Sequence, residues 1–301
     1  MSKIAVIGAG KWGSALYDAL SVKNECVITS FHEKDLSYFV RTKEALEYEY
    51  LVFALYAQGM HEWLVNNFKD LNQKILVASK GIDCKSLKFM DEVFGEFISS
   101  DRLCFLSGPS FASEVLEKKP CALVISGKNQ ELCNQFASFF PNYIKTYTSS
   151  DVKGAEICGA YKNVLAIASG VCDGLNLGNN ARASLVSRGL VEMHRFGQFF
   201  SAKEETFLGL SGAGDLFLTA SSNLSRNYRV GLSLASGKNI KDILMELGEV
   251  AEGVQTAYAI HALSKQFQIY TPIVNEVVLM LEGKNAWESL KDLMSSKEEI
   301  S

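Results

Sequence analysis

Three glycines stand at fixed spacing directly behind a short apolar run at the N-terminus: Lys3-Ile4-Ala5-Val6-Ile7-Gly8-Ala9-Gly10-Lys11-Trp12-Gly13-Ser14-Ala15-Leu16. The β-branched run reads as a buried strand and the segment after Gly13 as an apolar helix. Between them each glycine has a mechanical job. Gly8 makes the tight turn, Gly10 lets the main chain approach a pyrophosphate, and Gly13 allows the helix to pack closely on the strand. The helix N-terminus then offers unsatisfied N–H groups and the positive end of its dipole to the phosphates. The pattern implies a dinucleotide site, the alternative being a glycine turn that only packs.

A second strand follows at the distance such a site requires and ends Thr29-Ser30-Phe31-His32-Glu33-Lys34. An acid at this place favours NAD, whereas a cation or polar group accommodates the 2′-phosphate of NADP. Glu33 argues for NAD, while His32 and Lys34 tip the expectation toward NADPH. The competing reading is a solvated strand-to-helix turn.

The periodicity changes along the chain. Short β-branched runs (Lys3 to Ile7, Glu25 to Phe31, Tyr50 to Leu55, Lys74 to Ala78, Leu103 to Leu106, Ala122 to Ser126) alternate with helix-like segments up to about residue 148, as in an α/β domain with a mostly parallel sheet. From Asp151 onward the spacing is helical. Ile157, Tyr161, Val164, Leu165 and Ala168 predict a long amphipathic helix. Segments at Ala183 to Phe200, Asp215 to Ala220, Ile240 to Leu247, Val254 to Lys265 and Ile273 to Leu281 read the same way. Two domains are expected, 1–150 and 151–301, the second all-α, with a polar tail from Ser295 to Ser301 that frays.

With 48% hydrophobic and 21% charged residues the chain is globular, and a net charge of -4 gives no basic field for a nucleic acid. Its apolar runs, such as Tyr50 to Ala57, are too short to span a membrane. No leader pattern precedes the first strand, so a cytoplasmic protein is expected. The seven cysteines lack any C-x-x-C pair, and His61, His194 and His261 do not cluster with other ligands. No metal is expected, and without a G-x-S-x-G elbow no serine nucleophile is indicated.

The remaining motifs come in a distinctive order. They are Ser79-Lys80-Gly81-Ile82, Ser107-Gly108-Pro109-Ser110-Phe111-Ala112, Glu156 through Tyr161-Lys162-Asn163-Val164-Leu165-Ala166, Asn180 to Ala183 and Ser187 to Leu190. Gly212-Ala213-Gly214-Asp215-Leu216, Ser225-Arg226-Asn227 and Glu249-Val250-Ala251-Glu252-Gly253 follow. Over nearly its whole length the chain resembles the bacterial NAD(P)-dependent glycerol-3-phosphate dehydrogenases. That resemblance implies a Rossmann-type α/β N-terminal domain, an all-α C-terminal domain, interconversion of dihydroxyacetone phosphate and sn-glycerol 3-phosphate for phospholipid synthesis, and a homodimer.

Reducing a ketone by hydride transfer puts negative charge on the carbonyl oxygen, so the site needs an acid near that oxygen and fixed partners for the substrate phosphate. Lys162 lies beside the apolar stripe of its helix, where burial lowers an ammonium toward the range of an acid–base catalyst. A solvated helix lysine is the plainer reading, and the resemblance makes Lys162 the acid–base residue. Asp215, after three small residues, reads as an N-cap; the resemblance instead sets it beside Lys162 and the substrate hydroxyls. Ser225, Arg226 and Asn227 are implied as a phosphate clamp, a planar fork between short polar groups, with Arg226 also near the cofactor. Lys80 is implied at both substrate and cofactor, and Gly108 and Ser110 at the substrate, though their composition alone also makes an ordinary turn. Lys11, Trp12, Ala112, Val250 and Glu252 match cofactor-contacting positions, and Arg182, Arg188 and Glu192 are expected in polar contacts between helices.

Two departures stand out. The chain steps from Phe39-Val40-Arg41 almost directly to the strand at Tyr50, short by the family's pattern, and Ala54-Leu55-Tyr56-Ala57-Gln58 stands where a proline-containing turn is usual. Both bear on cofactor detail and regulation. A hydroxy-acid dehydrogenase of the same two-domain type, and a nucleotide-binding sensor without turnover, remain alternatives on fold alone.

Overall fold

The computed structural model describes residues 1–35 and 38–295, so the tail beyond Ser295 lies outside the described residues. The first half alternates strand and helix: β1 (Lys3–Ile7), α1 (Lys11–Ser21), β2 (Glu25–Thr29), α2 (Thr42–Ala45), β3 (Tyr50–Phe53), α3 (Met60–Asn67) and β4 (Lys74–Val77). A small hairpin, β5 (Ile82–Asp83) and β6 (Lys88–Phe89), leads to α4 (Met90–Gly95). Then come β7 (Leu103–Ser107), α5 (Ala112–Leu116), β8 (Cys121–Gly127), α6 (Gln130–Phe139) and β9 (Ile144–Ser149).

Seven of these strands form one sheet in the order β2-β1-β3-β4-β7-β8-β9, parallel except where β7 meets β8. Helices cover both faces, so β3 and β7 are buried along their whole length and read as continuous apolar runs. The chain reverses direction across the sheet after β2, which puts the loop behind β1 at the switch point where α/β sheets bind ligands.

Every strand expected from the sequence is present, β1 with the expected ends and the others with ends shifted by one or two residues. Two features carried too weak a signal. β9 (Ile144 to Ser149, Ile-Lys-Thr-Tyr-Thr-Ser) is an edge strand that buries only Ile144, and β5 and β6 have two residues each.

Helices build the rest: α7 (Val152–Gly174), α8 (Gly178–Phe199), α9 (Glu204–Leu208), α10 (Asp215–Ala220), α11 (Arg226–Ala235), α12 (Ile240–Leu247), α13 (Glu252–Phe267), α14 (Pro272–Leu281) and α15 (Ala286–Ser295). Asp151 caps α7, its side chain accepting from Gly154 N at 3.0 Å.

α7 is not the amphipathic helix its apolar spacing predicts. α7 is buried on all sides from Ile157 to Cys172, because α8, α10, α11, α13 and α14 surround it. Its closest neighbour is α11, against which the backbones touch: a Cβ on Gly170 would meet Tyr228 O at 2.1 Å, and one on Gly231 would meet Ile167 O at 2.0 Å. That contact fixes Lys162 on one helix relative to Arg226 on the other.

Candidate active site

The loop between β1 and α1 has the shape the glycines predict. Gly8 takes a positive φ of 116°, and its N–H donates to Thr29 O at 2.8 Å. A Cβ on Gly13 would lie 1.7 Å from Gly8 O, so the helix can sit this close only with glycine there. A Cβ on Gly10 would meet nothing within 4 Å, and no side chain caps α1. Open space in front of a free helix N-terminus is what a pyrophosphate requires, so these residues fit a dinucleotide.

His32, Glu33 and Lys34 are exposed beyond β2. Lys34 Nζ reaches back to donate to Ala9 O, tying this stretch to the glycine loop, whereas His32 stacks edge-on with Phe31. Trp12 packs its ring on the sheet's core and leaves its buried Nε1 without a partner. Ala112, half-buried, opens α5.

A buried cluster of charged side chains is assembled from three places in the chain. Lys162, on α7, is 8% exposed, and its Nζ donates to Asp215 Oδ1 at 2.5 Å and to Thr219 Oγ1 at 3.2 Å. Lys80, on the loop after β4, donates to Asp215 Oδ2 at 2.8 Å and to Gly108 O at 3.4 Å. Asp215 is 1% exposed and holds both ammoniums. Burial pushes Lys162 down to about 8, against the pull of Asp215 in the other direction. Burial alone raises the Asp215 carboxyl, but the two ammoniums more than offset that and hold it below the usual carboxylate range.

Asp215 is not an N-cap. A π turn, Leu210–Gly214, runs directly into α10, so Gly214 occupies the cap and the Asp215 side chain is free to turn inward. The turn is pinned to the sheet by a buried hydroxyl pair, Ser211 Oγ to Ser107 Oγ at 2.7 Å. Next to Ser107, Gly108 has φ 106°, and Ser110 Oγ donates to Gly108 O at 3.2 Å.

The Ser225-Arg226-Asn227 triplet is divided. Ser225 is the N-cap of α11, its Oγ accepting from Tyr228 N at 3.3 Å, and Asn227 Oδ1 accepts from Gly253 N at 3.0 Å. Both are buried. Only Arg226 extends outward, with Nη1 3.6 Å from Glu249 Oε2. Glu249 Oε1 in turn accepts from Lys11 Nζ at 2.7 Å. Val250 is 45% exposed in the same loop. Glu252 begins α13 partly covered, and burial pushes it up to about 7 although Arg226, Lys162 and Lys80 draw it down.

Sequence reasoning passed over Thr219 and Glu249. Thr219 stands one helical turn after Asp215, so the i, i+4 spacing was a usable signal. Glu249 had none, because its partners lie far off in the chain. Gln58 is a third case: its Nε2 donates to Ile82 O at 2.6 Å and its Oε1 accepts from Cys84 N at 3.0 Å, joining the loop after β3 to the hairpin. Glu192 does lie between helices as expected, taking hydrogen bonds from Tyr161 on α7 and from Ile273 N and Val274 N on α14. Arg182 bridges to Asp173 Oδ2 at 2.8 Å. Among the described residues no helix is long and apolar enough to cross a membrane.

Family models described as NAD-dependent glycerol-3-phosphate dehydrogenase N-terminus and C-terminus match residues 32–133 and 151–292. A glycerol-3-phosphate dehydrogenase (NAD(P)+) of Campylobacter lari is 96% identical over 299 residues, covering 99% of this chain and 100% of that protein. The protein of the same name from Campylobacter jejuni, serotype O:6, is 65% identical over 98% of this chain and 100% of its own length. Among solved structures, glycerol-3-phosphate dehydrogenase from Coxiella burnetii is 30% identical with a TM-score of 0.91, covering 98% of this chain and 99% of that one.

Proposed function

The chain belongs to the NAD-dependent glycerol-3-phosphate dehydrogenase family, and from that premise we propose how its own residues carry the reaction. It is an oxidoreductase that reduces dihydroxyacetone phosphate to sn-glycerol 3-phosphate with NADH or NADPH, in supply of phospholipid synthesis. Relatives 96% and 65% identical over their full length carry the glycerol-3-phosphate dehydrogenase name, which favours this reading over the hydroxy-acid dehydrogenase and the sensor without turnover.

The single observation that carries the residue assignment is the Lys162 ammonium, buried and held at 2.5 Å by Asp215. Gly8, Gly10 and Gly13 would hold the dinucleotide, which would supply a hydride for the substrate carbonyl. Lys162 gives its proton to the carbonyl oxygen as charge develops there, so the alcohol forms and the lysine is left neutral until solvent returns a proton. Asp215 is a positioning residue, holding Lys162 and Lys80 at fixed separation in a site that excludes bulk water. Arg226 binds the substrate phosphate together with the N-terminus of α11, whose first N–H groups lie beside it. Ser225 and Asn227 support that clamp from behind, one capping α11 and the other tethering Gly253. Lys80, Gly108 and Ser110 line the substrate end. Lys11, Trp12, His32, Ala112, Val250 and Glu252 border the cofactor.

The proposal extends to a division of labour between residues 1–150 and 151–301, to a cytoplasmic location and to a homodimer; sedimentation of the purified chain tests the last. NADPH and NADH oxidation with dihydroxyacetone phosphate, in wild type and Lys162→Ala, tests the assignment. Turnover by wild type that survives the substitution would overturn the role of Lys162. The ratio of the two cofactors decides between His32 with Lys34 and Glu33.

A further inference from the structure

Glu249 divides its carboxylate between two cations that come from opposite ends of the chain. Oε1 takes Lys11 at 2.7 Å, and Oε2 lies 3.6 Å from Arg226. Lys11 is the first residue of α1 and Arg226 the first of α11, so the carboxylate joins two cationic side chains that each spring from the start of a helix. The side chains of Lys11, Glu249 and Arg226 are 75%, 32% and 33% exposed. Contacts this open to water add little to stability. Their weight lies in the charge they place beside the glycine loop, since a single negative group engages two cations that the ligands' phosphates also need.

We propose that Glu249 is a built-in counter-ion that competes with ligand phosphates for Lys11 and Arg226, and thereby selects for doubly charged anions. The inference rests on the cofactor and phosphate assignments given above. A ligand carboxylate gains nothing by replacing a resident carboxylate, since one unit of negative charge is exchanged for another. A phosphate dianion or a pyrophosphate brings more charge to the same cations and displaces Glu249. The residue therefore lowers affinity for every anion, least for those of high charge, and discriminates against hydroxy acids by electrostatics instead of shape.

Tryptophan quenching measures NADPH binding, and steady-state kinetics give KM for dihydroxyacetone phosphate, in wild type, Glu249→Gln, Lys11→Met and the double variant. Glu249→Gln is expected to tighten NADPH and lower the substrate KM about two- to fivefold each, the scale of an exposed ion pair, with kcat changed less. Both gains shrink as salt is added. In the Lys11→Met background the NADPH gain shrinks to what Arg226 alone supplies, while the KM gain, which runs through Arg226, persists in full. A purely structural role for Glu249 would weaken binding and ignore Lys11. Glu249→Gln that binds NADPH no more tightly than wild type, or a gain of the same size without Lys11, overturns the inference and leaves the cofactor assignment standing. Wild type that binds no NADPH overturns both.

Discussion

Nζ of Lys162 lies 2.5 Å from Oδ1 of Asp215, and both groups are almost sealed from water. Burial and pairing act against each other on that ammonium, and burial wins, leaving it near 8. The second ammonium, Lys80 on Oδ2, keeps Asp215 charged, because one carboxylate facing two cations has no incentive to take up a proton. The site therefore holds one acid close to neutrality and one anion far from it.

The first prediction concerns pH. With Lys162 as the proposed proton donor, reduction requires its ammonium form, so kcat/KM for dihydroxyacetone phosphate stays level below about 8 and falls as the pH rises through that value. Oxidation of glycerol 3-phosphate needs the neutral amine and falls in the opposite direction, below about 8. Rates measured both ways from pH 6 to 10 check this, and two flat profiles would remove Lys162 from proton transfer.

Asp215→Asn leaves two buried ammoniums facing a neutral amide. Losing one partner of a buried ion pair costs about 3–5 kcal/mol, and Lys162 escapes part of that cost by giving up its proton. Activity should fall by at least about a hundredfold, and the alkaline limb of the reduction profile should move to lower pH. A limb that stays in place would mean that Asp215 does not control Lys162. Thermal unfolding of the same variant separates this effect from loss of fold.

The elements from which these predictions are drawn were unevenly visible in the sequence. Gly8, Gly10 and Gly13 could be read directly, because a turn and a close approach impose a spacing within a few residues. Lys162 and Asp215 could be singled out only by the resemblance, since they are 53 residues apart and nothing local says that they meet. The direction of Ser225 and Asn227 was hidden for a related reason: capping and tethering use the same short polar side chains that bind phosphate. The all-round burial of α7 could not be seen at all. Its apolar positions mark one face, while the alanines, glycines and Lys162 that complete the circuit are types that also occur at surfaces.

Gly10 and Gly13 should part company when replaced by alanine. At Gly13 the new methyl meets Gly8 O at 1.7 Å, so the turn or the helix must move and stability drops. At Gly10 it meets nothing, so the melting temperature stays near that of wild type while the methyl intrudes on the pyrophosphate and cofactor KM rises about tenfold or more. Unchanged cofactor binding in Gly10→Ala would place the pyrophosphate elsewhere.

Glu192 gives a prediction about stability away from the cleft. Burial pushes it up to about 7, while Ile273 N, Val274 N and the Tyr161 hydroxyl, all donating to it, pull the other way. Glu192→Gln turns an N–H2 group toward one of these donors and leaves it unsatisfied, at a cost of about 1–3 kcal/mol. A group whose folded value lies above its unfolded one contributes stability that is complete below the unfolded value and is lost as the pH climbs through the folded one. Wild type therefore sheds this contribution as the pH rises toward and past about 7, whereas the glutamine variant, which does not titrate, keeps its stability at this position. The gap between the two in urea unfolding should be widest in mild acid and narrow toward pH 8. A gap that widens instead would show that the three donors outweigh burial and that Glu192 is held as the anion at the N-terminus of α14.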